Sequence, residues 1–513
     1  VASTAETTSA GQWNFELWRT FQGQFHANEA LDLFRRMARQ AQKHYWRSMA
    51  NVKDFGAVGD GVTDDTNAIQ HAFNDGDGLI EFDRGNYLVS KTIEIQLKKT
   101  GRIGIDGSGG TAKLLMSGVG PVFRLIGTHA STADPAGFKE MEWRRERNPM
   151  ISNIEIEGMN SQADGIEISG VMQPTLSGVL IRKVRNALRI FDRARNVIVD
   201  HCNFYHNTGV GIFLDQVNLH QTIISNSHIS YCRRGGIRIQ NSEIRNLQIT
   251  GNDIEYNNNR SHANFDDEPT AEIYIDVGQK GTVREGTISS NTIQATYSSQ
   301  GANIRMIGAS EGETANHRAG MWTISGNLIG SQKNNIHLSS VRGVTITGNY
   351  IYSGHHRNIL IEKSRNIVIG SNCMGHNPDY RKNELATGIR IEDTENCNIT
   401  GLLIEDAEAG KHTVSNTVQI ERDALLELIR CHRVNVTGCQ VLDPTPVGIL
   451  AEDCNETSIN HCTVLDDRNP QKMEVGIRWK GQGNGNRIFG CRIGKGTVAS
   501  ISADDTVKQN SNY

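Results

Sequence analysis

Several things are scarce or missing in this 513-residue chain, and each absence closes off a class of protein. No run approaches the roughly 20 apolar residues that a membrane-spanning helix needs. The formal charge is −4, so there is no basic excess to recruit nucleic acid. No Cys-x-x-Cys pair occurs, which argues against zinc, and no other metal site is assigned. Proline is rare at 9 residues and aromatics make up 6%, yet charged residues reach only 21%, so the composition is not that of a disordered chain. Nine cysteines is an odd number, so at least one has no partner within the chain. Val1 to Gly11 is small and polar and is read as a leader left by signal cleavage or as an added sequence.

Glycine is plentiful at 52, and much of it punctuates repeats. Asn51 to Phe73 reads as a strand, a turn built on Gly56, Gly59 and Gly61, and a short helix capped by Thr63. Ala68, Ile69, Ala72 and Phe73 give that helix an apolar face suited to closing the open end of a stacked sheet. From Ile151 the repeat is plain. Units such as NLQITGNDIEYN, MWTISGNLIGSQKNNIHLS and GVTITGNYIYSGHHRNILIE recur at a solenoid-like period. Alternating Ile and Val point inward. Asn252, Asn291, Asn327 and Asn349 recur at a bend, where Asn tolerates left-handed angles and can stack its amide between rungs. Cys202, Cys439, Cys462 and Cys491 fall at an equivalent place and are read as small buried side chains.

VKDFGAVGDGVTDDTNAIQHAF resembles the entry segment of the pectate-lyase-like group of right-handed parallel β-helix proteins, which includes polysaccharide-active enzymes and phage tailspikes. Asp83 and Arg84 replace the proline that usually precedes the following Gly-x-Tyr, here Gly85-Asn86-Tyr87. The resemblance implies an all-β fold, a right-handed parallel β-helix of roughly a dozen coils. Three regions follow: a leader and helical segment over 1–50, the β-helix with its capping helix over 51–494, and a tail or cap over 495–513. The helical segment carries Leu31, Phe34, Met37, Ala41 and Tyr45 at helical spacing behind Asn28. Asp164-Gly165-Ile166-Glu167 echoes a polygalacturonase strand, but the Asp-Asp pair, Gly-His-Gly and Arg-Ile-Lys are absent. So are the Arg-x-Pro-x-x-Arg of pectate lyases and the Asp-Pro-His stretch of alginate epimerases.

Aligning the coils on their Gly-Ile-x-Ile strand predicts an outward column, because parallel rungs stack about 4.8 Å apart. It reads Glu167, Arg189, Phe213, Arg238, Tyr274, Arg305, His337, Leu360, Arg390, Gln419, Leu450, Arg478. Arg238, Tyr274, Arg305 and His337 put cationic, aromatic and titratable groups on one face, suited to an acidic sugar chain. A second column of acids is expected at Asp192, Asp215, Asp276, Glu362, Glu392, Glu421 and Glu452. Two loops, Asn257 to Thr270 and Gly308 to Gly320, bring His262, Asp266, Asp267, Glu268, Glu311, Glu313, His317 and Arg318 as cleft walls. A third, Thr128 to Pro149, carries Trp143.

The expected activity is cleavage of an extracellular polysaccharide. A hydrolase would use two carboxylates, drawn from Asp215, Asp266, Asp267, Glu268, Glu272 and Asp276, and is slightly favoured. A lyase would neutralise a uronate with Arg238 or Arg305, or with Ca²⁺, and use Tyr274 or His337 as base. Arg234, His317 and Trp143 join the arginines as substrate-binding candidates. A glycan-binding or adhesive β-helix without catalysis is the rival from another class, and a trimer or dimer with sites between subunits is the third. No cofactor is expected beyond the optional Ca²⁺, and the location is secreted or periplasmic.

Overall fold

The computed structural model describes residues 50–131, 135–258, 268–310, 312, 317–377, 379, 388–406, 411–414, 418–504 and 508–509. The chain divides into two units, Val1–Ala50 and Asn51–Tyr513. The helix expected between Trp13 and Met49 lies outside the described residues.

The second unit is a parallel solenoid. One coil shows the plan: Gly235–Gln240 on face A, Glu243–Thr250 on face B, Asp253–Glu255 on face C. Each strand pairs in parallel with its counterpart one coil on, as Arg238 does with Tyr274. Face C alone stacks 16 strands. That exceeds the expected dozen because the weakly patterned coils before Ile151 also contribute rungs. Parallel pairing also runs past residue 494, since Ala499–Ala503 pairs with Val475–Lys480.

The interior follows from the period-2 pattern. Ile166, Ile212, Ile237, Ile273, Ile304, Ile336 and Ile359 are fully buried on face A, so a one-residue slip would turn a whole row of isoleucines to water. The corner between faces B and C carries a polar ladder. Asn291 Nδ2 donates to Asn327 Oδ1 and Asn327 Nδ2 to Asn349 Oδ1, both at 3.0 Å. Ser227 and Cys202 extend it at one end and Cys439, Cys462 and Cys491 continue the corner at the other. Amide stacking is as expected, but the left-handed angles belong to the residue before each Asn: Gly251, Ser290, Gly326 and Gly348, at φ between 58° and 69°. All nine cysteines are free thiols; Cys202, Cys439 and Cys462 are buried and Cys491 is half-buried.

The capping helix, α1 (Thr66–Asp75), starts later than expected. Thr63 is in the strand Asp60–Asp64, where its hydroxyl donates to Asp60. Asp65 occupies the cap position but turns its carboxylate back to the glycine turn, accepting from Val58 N at 2.6 Å and Gly59 N at 3.0 Å. Ile69, Ala72 and Phe73 are buried, with Phe73 edge-on to Phe123. Gly59 is required here: φ is +72° and a Cβ would lie 3.0 Å from the Tyr87 ring.

Candidate functional site

The face A register fits the outward column from Glu167 to Arg390. Beyond it, the tenth position is Glu427, not Gln419. Val418–Glu421 pairs antiparallel with Lys411–Val414 as a hairpin, while Leu426–Ile429 carries the rung. The acid column is corrected further. Phe191, not Asp192, faces Asp215 because the register shifts there, and Ile429 replaces Glu421. The positions between Asp215 and Glu362 are Gln240, Asp276, Ile307 and Ser339. Only Glu362 and Glu392 sit one rung apart.

At the centre of the column Tyr274 lies between two guanidinium groups. Arg238 Cζ is 5.2 Å and Arg305 Cζ 5.5 Å from its ring centroid. Tyr274 is 8% exposed, and burial raises its phenol above the usual value while both arginines pull the other way. Arg305 is also buried, which lowers it from the ordinary arginine value. Its Nη1 donates to Thr270 O at 3.2 Å and its Nε to His337 Nδ1 at 3.3 Å. That bond makes Nδ1 an acceptor, so the proton sits on Nε2, which donates to Glu362 at 2.9 Å. The hydrogen bond from His337 holds the Glu362 carboxyl below its usual range. Both ring nitrogens of His337 are engaged, so it positions Arg305 and has no lone pair free to act as a base. Arg238 Nε is buried without a hydrogen bond among the described residues.

A groove of about 1210 Å³ opens at the end of these strands. Asp276 lines it, two residues past Tyr274 and so on the same outward side. Gln216, Asn241, Lys280, Ser310 and Lys363 surround it. Arg318 ties its walls by donating to Gly278 O and Gly281 O at 2.6 and 2.7 Å. His317 borders it through Lys363 O at 3.2 Å.

Among the described residues the remaining expected carboxylates are occupied. Both Arg189 Nε and Nη2 hold Asp215, at 3.0 and 2.7 Å. Glu268 pairs with Arg234 at 2.7 Å on the opposite edge of the same strands. Asp266, Asp267, His262, Glu311 and Glu313 lie outside the described residues. Glu272 is fully buried and accepts from Asn257 N and Nδ2, heading an interior row that continues through Asn303, Asn335 and Asn358. It is a structural group with no access to substrate. Burial raises it well above the carboxylate range. An acid raised in the fold contributes most at low pH, and that contribution is lost as pH climbs from the unfolded value toward the folded one. Glu272→Gln is therefore expected to reduce the loss of stability between pH 5 and 8, read as urea midpoints of variant and parent side by side.

Trp143 does not join the face. Its loop leaves the coil of Arg124, and Glu167, Arg189, Phe213, Arg238 and Tyr274 stack after Arg124 in turn, five rungs or roughly 24 Å. Among the described residues no group of three His, Cys, Asp or Glu side chains could hold a metal ion, and Asp276 Oδ1 already accepts from Gly278 N.

The sequence profile described as the right-handed beta helix region matches residues 141–274. Together with the parallel rungs, this decides the class. The chain is a right-handed parallel β-helix protein. The chain is 41% identical over 122 residues to a non-secreted LysM effector, LysM19, of Penicillium expansum; the match spans 21% of this chain and 9% of that protein. Among solved structures it is similar to the A-module of a mannuronan C-5 epimerase, AlgE6, of Azotobacter vinelandii, at 14% identity over 86% of this chain and 98% of that one, TM-score 0.39. It is also similar to the surface protein and adhesin PfbA of Streptococcus pneumoniae, at 14% identity over 90% of this chain and 100% of that one, TM-score 0.42. These are likenesses of fold, and no residue's role is taken from them. No helix among the described residues is long and apolar enough to cross a membrane.

Proposed function

We propose that the Arg238–Tyr274–Arg305 face binds a uronate-containing polysaccharide and cleaves it by β-elimination, with Tyr274 moving the proton. The observation that carries this is the phenol held between two guanidinium groups. Either arginine can neutralise the sugar carboxylate, which acidifies the proton alpha to it. When that proton and the glycosidic oxygen lie on one side of the sugar, a single tyrosine can take the first as phenolate and then, as the phenol so formed, protonate the second. The C–H and C–O bonds break, a C=C bond forms, and no water is consumed.

Hydrolysis needs two carboxylates facing a common space. Asp215 is clamped, Glu272 is buried and Glu362 is bound to His337, so the described residues favour elimination over the slightly preferred hydrolytic expectation. The reading implies work outside the cell or at a surface, where such polymers occur.

The pH profile separates the two chemistries. A phenol raised above its usual value of 10 is protonated at neutral pH, so a phenolate base becomes more abundant as pH climbs. The expected kcat/KM on polygalacturonate or alginate rises steadily through pH 7 to 9. A bell centred near pH 5 would point instead to a carboxylic acid pair. Silence on both polymers, with binding intact, would favour the adhesive reading.

A further inference from the structure

The second groove, about 490 Å³, lies on other faces of the coil and is lined by Arg102, Arg147, Asn148, Gln173, Thr175, Asn196 and Ile198. Its charge originates in the loop EMEWRRER. There the two acids four apart turn inward: Glu142 and Glu146 are each 2% exposed. Glu142 meets buried His129, and Glu146 accepts from Thr128 N and Oγ1 at 2.7 and 2.9 Å. Arg145 is left on the exposed side next to exposed Lys98 and Lys99, while exposed Arg144 is paired with Glu140 at 2.5 Å. Arg102 and Arg147 make no ion pair among the described residues. A chain of net charge −4 thus carries a local cationic patch.

The patch opens onto two rows built by the coil repeat. Asn148, Gln173 and Asn196 occupy successive rungs of one corner, each at φ between 52° and 59°. Beside them Met150, Thr175, Ile198 and Ile223 form an outward row, and its three apolar members are 36–42% exposed. Amides at rung spacing suit repeated hydroxyls, and an apolar strip suits the C–H faces of sugars. Trp143, 41% exposed, stands at the cationic end with Arg147 4.8 Å over its ring.

We propose that this groove is a second binding site, for an extended segment of an anionic polysaccharide, carboxylated or sulfated, running along the coil axis. The proposal goes beyond the Tyr274 face and does not need that face to be catalytic. Single-stranded nucleic acid fits less well, because its bases want aromatic platforms and the outward row is aliphatic.

The test is affinity electrophoresis of the full chain in gels containing polygalacturonate, dextran sulfate or neutral dextran, with a single-stranded oligonucleotide as competitor. Retardation is expected in at least one acidic gel and not in neutral dextran, weakening with salt. Arg102→Ala/Arg147→Ala is expected to weaken it at least about tenfold, the loss of two charge-assisted contacts. Arg238→Ala, which removes a cation from the Tyr274 face, is expected to leave most of this retardation in place, which separates this site from the catalytic reading. Arg102 is exposed, so Arg102→Ala alone keeps the test informative if the double variant does not fold. Unchanged retardation of the folded arginine variants, no retardation in either acidic gel, equal retardation in neutral dextran, or full displacement by the oligonucleotide would each overturn the proposal.

Discussion

Tyr274→Phe is expected to lower turnover of an acidic polysaccharide roughly 10²–10⁴-fold, the span usual for loss of a proton-transfer group. The substitution removes one oxygen and keeps the ring that Arg238 and Arg305 flank. KM should therefore change little, and circular dichroism and the denaturant midpoint should match the parent. His337→Ala should act differently. It removes the acceptor of Arg305 Nε and the partner of Glu362, so it loosens Arg305 and is expected to raise KM together with a smaller fall in kcat. A Tyr274→Phe protein with parental turnover would remove the phenol from the mechanism.

Asn327→Ala is expected to cost about 2–4 kcal/mol of stability, read as a fall in denaturant midpoint. Asn327 is 3% exposed and makes four ladder contacts at 3.0 Å. Its Nδ2 donates to Ile288 O and Asn349 Oδ1, and its Oδ1 accepts from Asn291 N and Nδ2. Truncation leaves buried donors and an acceptor that water cannot reach. Asn327→Ser should recover part of the loss, because Ser227 fills the same column and accepts from Cys202 N at 3.0 Å. A shift within about 0.5 kcal/mol would mean the ladder is incidental to the stack.

What could be read from the residues followed the range of the forces involved. Inward Ile and Val, the outward Arg238–Tyr274–Arg305–His337 row and the Asn corner are set by a short local repeat, and that repeat is printed in the chain. The misreadings arise where a loop interrupts it. Val418–Glu421 has the alternation of a coil strand yet folds back on Lys411–Val414, so Gln419 took the place of Glu427. Glu272 looks like an acid at the mouth of a strand. Its burial depends on Asn257 arriving from the previous coil across an intervening loop, which no local pattern announces. The bond between His337 and Glu362 runs diagonally between adjacent rungs and different columns, so neither column alone revealed it. The cationic groove was hidden for a related reason. Acids and arginines alternate in EMEWRRER, and only the turn decides that Glu142 and Glu146 go in.

The central claim is elimination at Tyr274, and one assay tests it most directly. The full chain is incubated with polygalacturonate and with alginate, and ultraviolet absorbance of the unsaturated uronate is followed together with new reducing ends. The account predicts that both signals rise in step with at least one polymer and that both fall in Tyr274→Phe. Reducing ends without the absorbance would contradict it and return the carboxylates, Asp276 first, to the centre of the mechanism.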